Sequence, residues 1–278
     1  MKIDAHQHFW IYDAAAYDWI TEDMGSIRRD FLPEDLAPLI EAEDIAGTIA
    51  VQARQSLQET DWLLELAEAH PAVIKGVIGW MPLEERGERI GEVLDQYADA
   101  ERLKGVRHVL QGEEDEYMAG KAFNEALKRV GERGLSYDLL ILGRQLPSAR
   151  MLVDRHPGLP FVLDHIAKPE IAGAPPPEWV RGIRELAERP HVFCKFSGVV
   201  TEVRGGKWTP ELLKPYFDVV LEAFGTERLM FGSDWPVCQV AATYREWHRF
   251  VEDCLASLSS DEQHSILGNN AARIYRLT

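Results

Sequence analysis

The stretch VIKGVIGWM, from Val73 to Met81, is short and almost continuously apolar. Strands that are covered on both faces have this pattern, because neither face meets water, and such strands belong mostly to parallel sheets. The segment that follows, ERGERIGEVLDQYADAE at positions 85–101, instead repeats its apolar residues with the period of a helix. A strand followed by a helix is the unit from which parallel α/β folds are built.

The same unit recurs along the whole chain. Several of the helical segments carry end signals, such as Pro210 near a start and Gly225 just past an end. Eight units are the number that closes a (β/α)8 TIM barrel, so we expect one barrel domain over residues 1–278. An open doubly wound sheet is the alternative, but the Gly-rich phosphate loop that usually follows its first strand is missing. The expected strands are Lys2–His6, Ala46–Ala53, Ile74–Met81, Gly105–Leu110, Ser136–Leu142, Phe161–Ile166, Val192–Ser197 and Leu229–Ser233.

The composition limits the class of partner. A net charge of −16 on 278 residues repels nucleic acid and anionic membranes, and we expect neither as a partner. The N-terminus has no basic segment followed by an apolar run, which favours a cytoplasmic protein. Three cysteines without a C-x-x-C spacing predict neither disulfides nor a thiolate zinc site. The sequence leaves the oligomeric state open, with a homodimer as one alternative.

Polar side chains follow the expected strands at their C-terminal ends, where the active sites of barrel enzymes form. His6 and His8 are two residues apart on the first strand and therefore share a face. Asp234 follows the eighth strand. Burying such groups without a function would be costly, so we expect them to form a site. The other polar or aromatic residues at strand ends are Gln52, Arg54, Trp80, Arg107, His108, Asp164, His165, Lys195, Ser197 and Trp235, with Tyr137 and Asp138 nearer the start of strand five.

Imidazoles that face a carboxylate support two kinds of chemistry. They can bind one divalent metal, zinc or manganese, or the carboxylate can take a proton from water without any metal. Both routes lead to hydrolysis. Asp164 directly precedes His165 and would point away from it on a regular strand, which favours a supporting role for Asp164. The segment Phe9–Phe31 is too long for a tight turn and is expected to lie over the mouth of the barrel.

Several motifs together resemble the amidohydrolase superfamily and, more narrowly, its sugar-lactone hydrolases. The resemblance spans essentially the whole chain. The motifs are DAHQHFW at 4–10, RRDFLPEDL at 28–36, VQARQSLQET at 51–60, GVRH at 105–108, LDHIAKP at 163–169, CKFSG at 194–198, FGSDWP at 231–236 and GNNAARIYRL at 268–277.

The resemblance implies that Asp234 acts as a general base toward a water molecule that attacks a lactone carbonyl. His6, His8 and His165 would surround that water or, together with Asp234, hold a metal ion. The remaining residues of the implied catalytic and substrate-polarising set are Arg107, His108 and Lys195.

The chain departs from the superfamily in its metal ligands. Metal-dependent members usually carry one more ligand at the end of strand four or five, whereas strand five here offers Tyr137 and Asp138. Lys195 brings a positive charge toward the site, which disfavours a dication. We therefore expect metal binding to be weak or dispensable.

The expected substrate is a sugar lactone of the L-fuconolactone or L-rhamnonolactone type, opened to the aldonic acid in carbohydrate catabolism. Alternatives are a metal-dependent decarboxylase or another hydrolase of the same superfamily, a phosphodiesterase of the His-x-His type and a non-catalytic sugar-acid-binding protein. Cationic side chains would contact the oxygens of the substrate, and aromatic ones would stack on its ring. These candidate substrate-binding residues are Arg28, Arg54, Arg107, Trp80, Trp235 and Tyr137.

Overall fold

The computed structural model describes residues 1–84 and 88–277 and contains an eight-stranded parallel sheet whose strands follow chain order. A bridge between Gln7 and Trp235 joins the first strand to the segment after the last. The (β/α)8 barrel expected from the sequence is therefore confirmed. The strands are β1 Lys2–Gln7, β2 Ile45–Val51, β3 Ile74–Gly79, β4 Leu103–His108, β5 Ser136–Leu139, β6 Phe161–Leu163, β7 Val192–Phe196 and β8 Leu229–Phe231.

Each strand is followed by a helix. The side chains of Ser56 and Thr209 accept hydrogen bonds from backbone N–H groups in the first turns of their helices. The helical stretch expected at 85–101 forms a helix at Glu88–Gln96, and its first three positions lie outside the described residues. The helices are α1 Pro33–Ala42, α2 Leu57–Ala69, α3 Glu88–Gln96, α4 Lys121–Glu132, α5 Leu146–Arg155, α6 Pro177–Ala187, α7 Pro210–Phe224, α8 Tyr244–Leu255, α9 Ser260–His264 and α10 Asn270–Ile274.

The C-terminal segment differs from its expected form. In the sequence, the pair Asn269–Asn270 predicts a helix cap between two short tail helices. In the structure, a π-helix at Ser265–Asn269 joins α9 to α10 without a break. Asn269 has helical backbone angles, φ −63° and ψ −35°. The Asn270 amide instead donates to the backbone oxygens of Thr226 at 2.7 Å and Leu229 at 2.8 Å, which ties the tail to the start of β8.

The barrel interior divides into an apolar lower half and a polar upper half. Ile3, Ile49, Ile78, Val162 and Phe193 fill the lower half. The upper half holds the buried charged and polar groups that follow the same strands. Because the lower half already provides the packed core, the upper half can carry polar groups that face one another. Within residues 1–84 and 88–277, no helix is both long and apolar enough to cross a lipid bilayer.

Candidate active site

Three histidines and one aspartate meet at the upper end of the barrel. The Nε2 atoms of His6 and His8 are 3.2 Å apart. Oδ1 of Asp234 lies 3.3 Å from Nε2 of His8 and 3.7 Å from Nε2 of His6. Nε2 of His165 lies 3.9 Å from the same oxygen. The structure therefore brings together His6, His8, His165 and Asp234 as the sequence predicted.

Irregular backbone brings these side chains into the barrel. One extra residue in β1 relative to β2, between Asp4 and Gln7, forms a bulge beside His6. Asp234 has a left-handed backbone, φ 57°, and its N–H donates to the backbone oxygen of His6 at 2.8 Å. Residues 165–168 are all left-handed, which costs roughly 1–2 kcal/mol per residue and is typical of functional sites.

Gly198 provides the space that the site needs. It has φ 65°, and a Cβ atom there would lie 2.5 Å from Nδ1 of His165 and 2.7 Å from Oδ2 of Asp234. Both the backbone conformation and the close approach therefore require glycine.

Each imidazole is held through its Nδ1 atom, so that Nε2 faces Asp234. Nδ1 of His8 lies 2.7 Å from the backbone oxygen of Val51, which makes Nδ1 the protonated nitrogen. Nδ1 of His165 lies 2.9 Å from the hydroxyl of Ser197. Nδ1 of His6 faces Oδ1 of Asp164 at 3.3 Å. Outer partners of this kind orient the ligands of metal sites.

A buried charge network lies beneath His6. Nζ of Lys195 lies 2.5 Å from Asp138 and 3.1 Å from Asp164. NH1 of Arg107 lies 3.0 Å from the other oxygen of Asp164. Two cations thus face two carboxylates, and the positive charge of Lys195 is paired inside the protein. Nζ of Lys195 also lies 3.3 Å from Nδ1 of His6, so its charge is balanced by Asp138 and Asp164 at the point where it faces a candidate metal ligand.

Asp164 takes a different orientation from the one expected. A regular strand would have turned it away from the face of His165, but β6 ends at Leu163 and the left-handed turn begins at His165. Asp164 therefore reaches His6, Lys195 and Arg107 inside the barrel. The alternation rule applies only as far as the strand extends.

The surroundings of the cluster keep the imidazoles of His6 and His165 neutral and the carboxylate of Asp234 charged. Burial lowers the pKa of His165 to about 4 and holds the pKa of His6 well below its ordinary value. Burial alone would raise the pKa of Asp234, but its contacts with His165, His8 and His6 outweigh burial and hold that pKa below its usual range. Neutral imidazole and ionised carboxylate are the forms that bind metal ions.

The donor atoms fit a divalent metal ion. In a tetrahedral site with ligand bonds of about 2.0–2.2 Å, neighbouring ligand atoms are roughly 3.3–3.6 Å apart. The corresponding separations among His6, His8 and Asp234 are 3.2, 3.3 and 3.7 Å. Nitrogen and carboxylate donors suit zinc or manganese. Asp138, on the strand where the superfamily often has a further ligand, is instead paired with Lys195.

A cavity of about 480 Å³ opens directly above the cluster. The predicted residues Arg54 and Arg107 line it together with His8, His165 and Asp234. The loop at Phe9–Phe31 covers one side, as the sequence predicted. Sequence reasoning missed several lining residues that lie in loops: Trp19, Gln55, Gln111 and Lys168. Lys168 belongs to the motif LDHIAKP at 163–169, and this motif could have indicated Lys168 as a site residue.

His108 at the end of β4 and Trp80 directly after β3 are predicted site residues that do not line this cavity. His108 follows Arg107 directly and so points to the opposite face of β4. Its ring stacks on Tyr117 at 5.0 Å, and its Nε2 lies 3.0 Å from Glu113. Nε1 of Trp80 donates to Nδ1 of His108 at 3.4 Å. The two predicted residues therefore pair with each other beside the site.

Three further predicted substrate contacts lie away from the cavity. Tyr137 is fully buried outside β5, against Phe123 and Phe161. Trp235 is 1% exposed and packs on Phe9 and Phe31, where it supports the covering loop. Arg28 bonds to the hydroxyl of Tyr12 at 2.7 Å. Their positions at strand ends or in the loop were correctly identified, but the directions of their side chains were not.

His108 also belongs to a second group of possible metal ligands, with Glu84 and Glu113. Since an indole N–H can only donate, Nδ1 of His108 accepts from Trp80 and the proton of this ring resides on Nε2. That proton faces Glu113. A hydrogen bond between His108 and Glu113 therefore accounts for this group without a metal ion.

The fold and the site together define the class of protein. The profile of the Amidohydrolase family matches residues 3–277, and the chain belongs to this family. The L-fucono-1,5-lactonase of Burkholderia multivorans is 41% identical over 289 residues, which cover 100% of this chain and 96% of that protein. The L-fucono-1,5-lactonase of Burkholderia ambifaria is 33% identical over 283 residues, which cover 99% and 96%. The predicted resemblance to the sugar-lactonase branch is thus confirmed.

A solved structure has the same architecture. The crystal structure of an amidohydrolase from Burkholderia multivorans with bound zinc has a TM-score of 0.95 and 40% identity to this chain, with 100% of both chains covered. That protein holds zinc within the same fold. The finding agrees with the metal-like spacing of His6, His8 and Asp234 in the present chain.

Proposed function

We propose that this protein hydrolyses a sugar lactone of the L-fuconolactone or L-rhamnonolactone type to the aldonic acid. The observation that carries the proposal is the position of Asp234, which faces three imidazoles at the floor of a cavity of about 480 Å³. Full-length similarity to two L-fucono-1,5-lactonases supports the substrate class.

Asp234 is the general base in this proposal. Its carboxylate lies in the cavity floor and is ionised, so it can accept the proton of an attacking water molecule. A carboxylate with a lowered pKa is a weak base toward free water. We therefore infer that the water is acidified by a second group in the site.

A divalent ion held by His6, His8, His165 and Asp234 would supply that acidification and would polarise the lactone carbonyl. The separations of the donor atoms and the neutral imidazoles support such an ion. The donor set favours zinc or manganese. The pairing of Lys195 with Asp138 and Asp164 supports this assignment, because it balances the positive charge that would otherwise oppose a metal ion.

Arg107 is the residue placed to receive the developing oxyanion. Its side chain lines the cavity together with Asp234 and His165. A guanidinium donates charge-assisted hydrogen bonds, which suit a carbonyl oxygen that becomes an oxyanion. NH1 of Arg107 is fixed by Asp164 at 3.0 Å, so the guanidinium is oriented before the substrate arrives.

A lactone panel read with a pH indicator tests the proposal. L-fucono-1,5-lactone and L-rhamnono-lactones should be opened with release of one proton, and exhaustive chelation should remove the activity until zinc or manganese is restored. Asp234→Asn should lower kcat by at least about 100-fold, because a positioned general base contributes roughly 10²–10⁴. The exposed Asp253→Asn is the matched control. Turnover near the wild-type rate in Asp234→Asn would contradict the base assignment, and carbon dioxide release without lactone hydrolysis would favour a decarboxylase.

A further inference from the structure

We infer that Trp19 is the aromatic platform on which the ring of the substrate stacks, and that it determines affinity for the lactone. This inference rests on the proposed lactonase function and names a residue that the sequence did not single out. Trp19 lines the cavity above Asp234 and His165. Among the eight tryptophans, all of which the structure describes, it is the one that lines this cavity.

The indole of Trp19 is exposed although the aromatic residues around it are buried. Trp19 is 36% exposed, whereas Trp10 and Trp235 are 0% and 1% exposed. An open aromatic surface on the wall of a polar cavity is what a sugar ring requires, because its C–H groups form an apolar face. The hydroxyls and the carbonyl would then meet the polar wall, which includes Arg54 and Arg107.

Trp19 is mounted on a rigid base. Its ring packs edge-on against Trp10 with 5.7 Å between centroids and 87° between planes. Nε1 of Trp10 donates to the backbone oxygen of Arg29 at 2.8 Å. The backbones of Trp10 and Phe31 also exchange two hydrogen bonds, at 3.0 and 2.9 Å, which close the neck of the loop. The platform is thus ordered before a ligand arrives, which reduces the entropy that binding must overcome.

A second set of contacts ties the tip of this loop to the opposite wall. The hydroxyl of Tyr17 donates to Glu59 at 3.4 Å, and the guanidinium of Arg54 lies 5.6 Å from the centroid of the Tyr17 ring. Glu59 accepts the backbone N–H of Arg54 at 2.7 Å. Trp19 and Arg54 therefore belong to one connected frame, and the spacing between them is set by the protein.

Steady-state kinetics on L-fucono-1,5-lactone test the platform. Trp19→Ala should raise KM by about 3- to 10-fold with kcat changed less than about twofold, because stacking stabilises the bound substrate and the transition state alike. Trp19→Phe, which retains an aromatic face, should keep KM within about threefold. Ile11→Ala is the matched control, since Ile11 is an exposed apolar residue of the same loop, at 58% exposure, that does not line this cavity.

A binding measurement separates stacking from catalysis. Addition of L-fuconate to the Asp234→Asn chain should quench tryptophan fluorescence, and the quenching should disappear in the Asp234→Asn, Trp19→Phe chain. An unchanged KM in Trp19→Ala overturns the platform, as does an equal rise of KM in Ile11→Ala. A wild-type chain that opens no lactone in the panel overturns the proposed function and the platform together, whereas a failure confined to the Trp19 variants leaves the function standing.

Discussion

Nδ1 of His6 lies 3.3 Å from Oδ1 of Asp164, and both side chains are fully buried. Oδ1 of Asp164 also lies 3.1 Å from Nζ of Lys195, and that Nζ lies 3.3 Å from the same Nδ1 of His6. Asp164 and Lys195 together therefore hold the His6 ring so that its Nε2 faces His8 and Asp234.

Asp164→Asn should weaken metal binding. Loss of an outer carboxylate partner typically costs 10- to 100-fold in metal affinity, so we expect a decrease of about that size in a zinc titration against a competing chelator. The exposed Asp218→Asn provides the control, because Asp218 pairs with the exposed Lys214 on the surface. An affinity equal to that of the wild type would show that Asp164 does not orient His6.

Lys195→Met should destabilise the fold. Lys195 is 0% exposed and faces Asp138 and Asp164, which would then be left as partly compensated buried charges. Removing one partner of a buried ion pair costs roughly 3–5 kcal/mol of unfolding free energy, whereas the exposed pair Lys214–Asp218 should contribute less than about 1 kcal/mol.

Denaturant unfolding of Lys195→Met and Lys214→Met measures this difference. Addition of Asp138→Asn to the Lys195→Met chain should restore part of the lost stability, because it removes one uncompensated carboxylate. Equal losses in the two lysine variants would mean that the buried network contributes no more than a surface pair.

Gly198→Ala should lower kcat/KM by more than the strain of a left-handed backbone can explain. The added Cβ would approach His165 and Asp234, and φ is 65°. Gly205 has φ 75°, and a Cβ atom added there would have nothing within 4 Å. Gly205→Ala therefore measures the cost of the left-handed backbone alone, which is roughly 1 kcal/mol of unfolding free energy. We expect kcat/KM to fall at least about 100-fold in Gly198→Ala and to stay near wild type in Gly205→Ala. Similar kcat/KM values in the two variants would contradict the close packing at Gly198.

Glu59 should make stability depend on pH. Burial raises its folded-state pKa to about 7, against 4.5 for the exposed group, although the N–H groups of Arg54 and Ala53 oppose the rise. Between these two values the folded protein binds more protons than the unfolded chain, so this group lowers stability as pH increases from about 4.5 to about 7.

Glu59→Gln should remove this contribution. The unfolding free energy of the wild type relative to Glu59→Gln should decrease by about 1–3 kcal/mol between pH 5 and pH 8, as measured by denaturant midpoints at each pH. Parallel pH profiles for the two proteins would show that the Glu59 carboxyl keeps an ordinary pKa. Glu65→Gln, at an exposed position of the same helix, is the control.

Much of the fold followed from the sequence, because the relevant signals are local. The apolar run at Val73–Met81 and the helical period after it recur in eight units, and each strand was located to within three residues at either end. The positions of His6, His8, His165 and Asp234 followed as well, since strand ends converge on one face of a barrel.

Side-chain direction beyond the end of a strand did not follow from the sequence. His108, Tyr137 and Trp235 occupy the expected places along the chain but point out of the cavity. Asp164 points into the barrel because the left-handed turn at 165–168 replaces the regular strand. Trp19, in a loop without a repeating pattern, carried no local signal at all.

The sequence by itself determined the family, the barrel and the positions of His6, His8, His165 and Asp234 at strand ends, because these depend on periodicity and on the chemistry of residue types. Only the tertiary structure decided the charge state around that cluster. Lys195 and Asp138 come from different strands. Tyr275, which donates to Asp138 at 3.0 Å, comes from the C-terminal end of α10. Whether Lys195 repels or tolerates a metal ion depends on distances between these residues, and such distances exist only once the barrel has closed.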